Sequence, residues 1–253
     1  MKSVTNLPTL LILGGTSEAY VLAENLVGEG FQDDFRILTS LRGSTRSPRI
    51  PAGEQRVGGF GGPQGLADFL KGEKVFRVID ATHPFAEQIS RHASIACSQT
   101  RIPLIHMERP SWKPQSRDRW VFHVDLQSAA QWLTRNPSRV FLTSGHRGLE
   151  VFRICHGSFF LIRTVEPARL PEPFPPAENL IARGPFSLEQ EIELMRSHSI
   201  SILVSKNSGG QASHPKLLAA RELEMTVLMV QRPDLPEGRR AEGVEQVIDW
   251  LRS

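Results

Sequence analysis

The chain has 253 residues, 40% of them hydrophobic, with 30 basic and 27 acidic side chains and a net charge of +3. That length supports one large or two small cores, and a pI of about 9.1 falls short of the charge density of a nucleic-acid binder. No run approaches the roughly 20 apolar residues of a membrane span, the start at Met1–Pro8 lacks a signal peptide's pattern, and Cys97 and Cys155 have no metal-ligand spacing, which points to a reduced, cytoplasmic, metal-free protein.

Strand and helix patterns alternate, the grammar of parallel sheets. Leu10 to Leu13 is a continuous apolar run, and Ala19, Leu22, Ala23 and Leu26 then recur at helical spacing. Between them lie Gly14, Gly15, Thr16 and Ser17, a glycine turn into a helix start. Such a turn brings backbone N–H groups close to a phosphate, with the helix dipole assisting. It departs from G-x-G-x-x-G, because Thr16 and Ala19 stand at the middle and last glycine positions, and a plain strand-to-helix turn remains an alternative.

Phe35 to Leu38 is a second strand. An NAD site places an acid after it for the ribose 2′-hydroxyl. Here Ser40, Arg42, Thr45 and Arg46 follow, with no acid between Arg36 and Gly53. Arginine forks suit a phosphate dianion, so a dinucleotide site would favour NADP(H); a solvated basic face would look the same. Four glycines then surround one aromatic, making Gly59, Phe60 and Gly61 candidates for close ligand approach or members of a flexible loop.

A short helix at Leu66 to Leu70 and a strand at Val75 to Ile79 lead to Asp80, Thr82 and His83. Pro84 suits the first position of a helix that carries Phe85, Ile89, Ala93 and Ala96 on one face. Polar groups at the carboxyl end of a strand, facing a helix start, occupy the ligand position of open α/β sheets. The competing reading is an ordinary turn capped by Thr82 or His83.

Pro103 to His106 is a short strand. The proline- and charge-rich stretch from Glu108 to Arg119 reads as a connection between two α/β domains, residues 1–118 and 119–253. In the second series, strands are expected at Val140 to Thr143, Phe159 to Thr164, Leu180 to Ala182, Ile202 to Val204 and Val227 to Val230. Helices are expected at Ser128 to Leu133, Leu188 to Ser197 and Pro215 to Leu223, with a last one bearing Val244, Val247, Ile248 and Leu251. Polar strand ends recur: Arg183 after one strand, and Lys206, Asn207, Ser208 and Gly209 after another. Lys206 could pair with a substrate carboxylate or be an ordinary exposed lysine. Polar ends in both halves suggest two Rossmann-like or flavodoxin-like domains facing a common cleft. The remaining histidines show no H-E-x-x-H spacing, and no nucleophile elbow occurs.

The stretches Leu11–Ala19 (LILGGTSEA), Val57–Gly62 (VGGFGG), Asp80–Ala86 (DATHPFA), Arg183–Phe186 (RGPF), Ser205–Gly210 (SKNSGG) and Ala219–Leu223 (AAREL), in this order, resemble the precorrin-6A reductase family of cobalamin biosynthesis, including its cobalt-precorrin-6A counterparts. The resemblance implies NADPH-dependent reduction of a double bond in a corrin-ring precursor, giving the 6B form. It implies a small-molecule, polycarboxylated substrate, with no nucleic acid or membrane partner. The dinucleotide would lie against Gly14–Ser17, Ser40, Arg42, Thr45, Arg46 and Gly59–Gly61, and the substrate against Asp80, Thr82, Arg183 and Lys206–Gly209. His83 is the candidate for proton handling. Ser213–Lys216 departs from the family pattern in carrying Pro215 at a helix start. A non-catalytic NADP(H) sensor would not need the Lys206 cluster, and a methyltransferase of the same pathway would not need arginines for a 2′-phosphate.

Overall fold

The computed structural model describes residues 7–43 and 49–253. The first elements are β1 (Thr9–Leu13), α1 (Ser17–Gly28), β2 (Arg36–Leu41), β3 (Glu54–Val57), α2 (Gly62–Gly72), β4 (Val75–Asp80), α3 (Glu87–Thr100) and β5 (Leu104–Met107). In β1, Leu10 and Ile12 point to one face of the sheet and Leu11 and Leu13 to the other. Both faces are covered, so the strand is apolar throughout, as a parallel sheet requires. Leu10 and Ile12 meet Leu22 and Leu26 of α1, while Leu11 and Leu13 meet Leu66 and Leu70 of α2 and Ala93 of α3. Each such leucine, fully buried, contributes about 1.5–3 kcal/mol.

The helix expected from Pro84 begins three residues later, at Glu87. Residues 81–86 are irregular. The N–H of Ala86 donates to the His83 carbonyl at 2.7 Å, which closes a turn with Pro84 at its second position. There the fixed φ of proline suits a turn as well as a helix.

The chain continues with β6 (Arg119–His123), α4 (Leu126–Arg135), β7 (Arg139–Leu142), β8 (Phe159–Thr164), β9 (Ala177–Ile181), α5 (Leu188–Ser197), β10 (Ile202–Lys206), α6 (Pro215–Glu222) and β11 (Thr226–Val230), and ends with β12 (Arg239–Ala241) and α7 (Val244–Arg252). Phe141, Leu161, Leu203, Val227 and Met229 form one sheet face beneath α5 and α6. Pro215 is the first residue of α6, a position where its missing N–H costs nothing.

Two compact units result: Met1–Pro110 with Pro233–Ser253, and Ser111–Arg232. Their sheets run β3-β2-β1-β4-β5-β12 and β9-β8-β7-β10-β11-β6, and every strand pairing is parallel. Both follow the doubly wound order 3-2-1-4-5-6, and in both the sixth strand is displaced in sequence. β12 reaches the first sheet only after the whole second unit, and β6 enters the second sheet ahead of its other five strands. The division expected at residue 118 therefore differs from the structure in two ways: the chain crosses at residue 110, and residues 233–253 return to the first unit. The physical reason is packing. Arg239–Ala241 pair with Ile105–Met107, and Val247, Ile248 and Trp250 are buried in the same core as Leu10 and Leu22. The Arg77 guanidinium lies 4.9 Å from the centre of the Trp250 ring and donates to the Trp250 carbonyl.

Candidate functional site

In the first sheet the strand order reverses between β1 and β4, and their carboxyl ends carry the two motifs singled out above. The Gly14 N–H donates to the Ser40 carbonyl at 2.9 Å. A Cβ on Gly14 would stand 2.9 Å from Thr39 Cγ2, so a larger residue would push β1 away from β2. Gly15 has φ +108°, and its ideal Cβ meets nothing within 4 Å. Its need for glycine is conformational, and the space beside it is open. Thr16 is the N-cap of α1: its hydroxyl accepts from the Ala19 N–H at 3.1 Å and donates to the Ala81 carbonyl at 2.7 Å. This last bond joins the glycine turn to the end of β4. Ser17 follows as the exposed first residue of the helix.

Asp80 is 4% exposed and stands in register with His106 on β5. One carboxylate oxygen lies 3.0 Å from His106 Nδ1. The other accepts from the Thr82 hydroxyl at 2.6 Å and the Thr82 N–H at 3.2 Å. Burial pushes the Asp80 carboxyl up, but hydrogen bonds from His106, Ser90 and Thr82 outweigh it and hold the group below its ordinary value. Asp80 is thus a buried, ionised anchor for the strand end. Thr82 is half-buried, and His83 is exposed, with its Nδ1 accepting the Phe85 N–H at 3.2 Å.

A cavity of about 200 Å³ opens at the ends of β1, β4, β5 and β12. Val21, Met107 and Val244 give it apolar walls, and Thr16 and Thr82 bring hydroxyls. At its edge Arg109 donates to Glu18 at 2.5 Å, so these two opposite charges offset one another.

At the ends of β2 and β3, Ser40 is buried and Arg42 exposed; Thr45 and Arg46 lie outside the described residues. Arg56, present in the glycine motif but not singled out from sequence, organises this corner. It donates to Ser40 Oγ at 2.8 Å and to the Gly58 and Gly59 carbonyls at 3.0 Å. Its guanidinium stacks 4.0 Å from the centre of Phe60, which in turn packs on Phe69. Phe60 is thus a packing residue. Gly58, Gly59 and Gly61 have no atom within 4 Å of an ideal Cβ, whereas a Cβ on Gly65 would fall 1.8 Å from the Phe60 carbonyl oxygen. The arginine's three acceptors and the need for Gly65 are tertiary features that motif spacing does not reveal.

In the second unit the equivalent reversal lies between β7 and β10. Lys206 Nζ donates to the Ser144 carbonyl at 3.1 Å, and Lys216 Nζ to Thr143 Oγ1 at 2.9 Å. Burial lowers the pKa of both lysines, in Lys216 to about 7. Asn207 is a clamp. Its side chain accepts from the Trp112 N–H at 2.8 Å and donates to the Trp112 carbonyl at 3.0 Å. Arg232 donates to the carbonyls of Asn207 and Ser208 at 2.8 and 3.1 Å. Ser208 is buried, Gly209 is half-buried with φ +74°, and Arg183 is exposed. A buried ion pair, Arg163–Glu191 at 2.7 Å, went unseen in the sequence. Among the described residues no group of three or more His, Cys, Asp or Glu could hold a metal, and no helix is long and apolar enough to cross a membrane.

The first unit is thus a doubly wound parallel sheet, with an open glycine turn and a cavity at its reversal point, the position where such sheets place ligands. Residues 9–252 match the family model described as "Precorrin-6x reductase CbiJ/CobK". The chain is 43% identical to a precorrin-6A reductase of Rhodobacter capsulatus over 96% of its own length and 95% of the relative's. It is 42% identical to one of Rhodococcus erythropolis, over 96% of each chain. A cobalt-precorrin-6A reductase of Priestia megaterium is 28% identical over 96% of this chain and 97% of its own. A solved structure titled "CobK precorrin-6A reductase" superposes with a TM-score of 0.90 at 42% identity, covering 97% of this chain and 96% of that one. The chain belongs to the precorrin-6x reductase family, a family of oxidoreductases.

Proposed function

We propose that this protein reduces precorrin-6A to its 6B form in cobalamin biosynthesis, with NADPH as the reductant. The observation that carries the reading is the meeting, through the Thr16–Ala81 hydrogen bond, of an open glycine turn and a polar strand end beside a 200 Å³ cavity. The cobalt-free substrate is favoured over the cobalt form because the two precorrin-6A reductases above are more similar in sequence than the cobalt-precorrin relative.

The residues present fit a dinucleotide. Gly15 combines positive φ with open space at the start of a 12-residue helix, which suits a pyrophosphate. No acid stands at the end of β2 among the described residues. Arg42 is exposed there, a suitable partner for a 2′-phosphate, and Arg56 holds the adjoining glycine loop in place. A cavity of about 150 Å³ accommodates benzene, so the space here is of the size of a substituted aromatic ring. When bound, NADPH supplies hydride to one carbon of the substrate's double bond. The neighbouring carbon takes a proton, and His83, exposed at the end of β4, is our candidate to hold it. Lys206 in the second unit is our candidate to hold a peripheral carboxylate, as a point charge on a flexible stem.

The test is anaerobic incubation of the purified protein with precorrin-6A and either NADPH or NADH. NADPH consumption should match formation of a product heavier by two hydrogens. A protein that binds precorrin-6A but consumes neither dinucleotide would sink the proposal.

A further inference from the structure

We infer that Thr82 selects the group entering the cavity: its hydroxyl oxygen acts there as a hydrogen-bond acceptor, held in that role by the buried Asp80–His106 pair, and so takes a donor such as the carboxamide NH₂ of a nicotinamide ring. This rests on the dinucleotide reading above.

A threonine hydroxyl has one proton to give and two lone pairs to receive. The Thr82 proton is committed to Asp80 Oδ1 at 2.6 Å. The acceptor is an ionised, buried carboxylate that also receives His106 Nδ1 at 3.0 Å and the Thr82 N–H at 3.2 Å. Turning the hydroxyl to donate into the cavity would break a charge-assisted bond and leave a carboxylate oxygen short of a partner, in a place from which water is largely excluded. What remains to Thr82 is acceptor capacity, and Thr82 lines the cavity. The second threonine in the wall is already engaged, because the Thr16 hydroxyl donates to the Ala81 carbonyl and accepts from the Ala19 N–H, which leaves it one lone pair against the two of Thr82. The two threonines therefore divide the work. Thr16 joins β4 to α1, and Thr82 faces the ligand with fixed polarity. An amide NH₂ satisfies Thr82. A carboxylate in the same place offers it only a second acceptor.

The experiment compares binding, by titration calorimetry on the whole protein, of NADP⁺ and its analogue with a carboxylic acid in place of the carboxamide. The wild type should bind NADP⁺ at least about 10-fold more tightly, the scale of one hydrogen bond to a group that is otherwise unsatisfied. Thr82→Val, of equal shape, and Thr82→Ala should bring the affinity ratio towards one. Thr82→Ser should keep it, a rescue that a merely structural threonine would not produce. An unchanged ratio in whichever of Thr82→Val and Thr82→Ala is folded by circular dichroism overturns this inference and leaves the dinucleotide reading standing. Failure of the wild type to bind either compound overturns the dinucleotide reading itself.

Discussion

The reversal points of the two sheets share a strand order and differ in what finishes them. At β1 and β4 the polar groups are turned on one another: Asp80 collects Thr82 and His106, Thr16 bonds the end of β4, and Glu18 offsets Arg109. The result is a small, largely apolar space in whose wall the Thr82 hydroxyl has given its proton to Asp80 and keeps its acceptor capacity. At β7 and β10 two lysine side chains, Lys206 and Lys216, converge through their Nζ atoms on consecutive residues, Ser144 and Thr143. The same topology thus ends in a small, largely apolar cavity in one unit and in two buried lysines, their pKa values lowered by burial, in the other. Strand order fixes where a ligand goes, and side chains fix its chemistry.

The largest expected effect breaks the comparison at His83. His83→Ala should lower kcat roughly 10²- to 10⁴-fold with little change in NADPH affinity, whereas Lys206→Ala should mainly raise KM. Near-normal kcat for His83→Ala across pH 6 to 9 would reduce His83 to a turn residue. Gly15→Val comes next. The side chain has space, but φ +108° is a region β-branched residues avoid. NADPH affinity should fall about 100-fold while far-ultraviolet circular dichroism stays native, and normal binding would make the turn purely structural.

Lys216 sharpens the charge side of the comparison. Its depressed pKa of about 7 means that the folded state holds it neutral at mildly alkaline pH, while the unfolded chain binds a proton up to about 10.5. The unfolded state binds more protons in this window, so stability should rise with pH, by roughly 2 kcal/mol between pH 7 and 9 from this group. Above pH 9 the buried thiols Cys97 and Cys155, both raised by burial, act in the opposite direction. Urea unfolding across pH 7 to 9 should show the rise in wild type and lose it in Lys216→Met; equal slopes would place the charge elsewhere. The smallest effect is at Arg42. Arg42→Ala should cost NADPH about 1.5 kcal/mol of binding and NADH almost nothing. Equal losses for the two cofactors would remove Arg42 from the 2′-phosphate site.

Much of this arrangement was legible in the residue pattern. Continuous apolar runs marked β1, β10 and β11, and the apolar pair Val78–Ile79 marked the end of β4; the motifs after β1, β4 and β10 do stand at strand ends. What the pattern could not carry was pairing and direction. Asp80 looked like a group facing a ligand, but its register with His106 turns it inward. Asn207 looked the same and instead clamps Trp112, 95 residues away in sequence. β3, β6 and β12 are short and partly polar, with too few residues to show a period. Nothing local marks β12 as a partner of β5. That pairing pays off only through the burial of Val247 and Trp250 against the first core.

The displaced sixth strand also has a consequence in time. A ribosome delivers residues 1–110 first, yet the edge of β5 that β12 will cover must wait until all of the second unit has been made. At bacterial rates this is on the order of ten seconds. Through that interval the nascent first unit carries an open strand edge and an uncovered apolar surface, features that invite association with other chains. Ribosome-bound chains stalled after residue 232 should be cleaved by protease within residues 1–110, and chains stalled beyond residue 253 by a tunnel's length should resist. Equal resistance in both would show that the first five strands stand without their sixth.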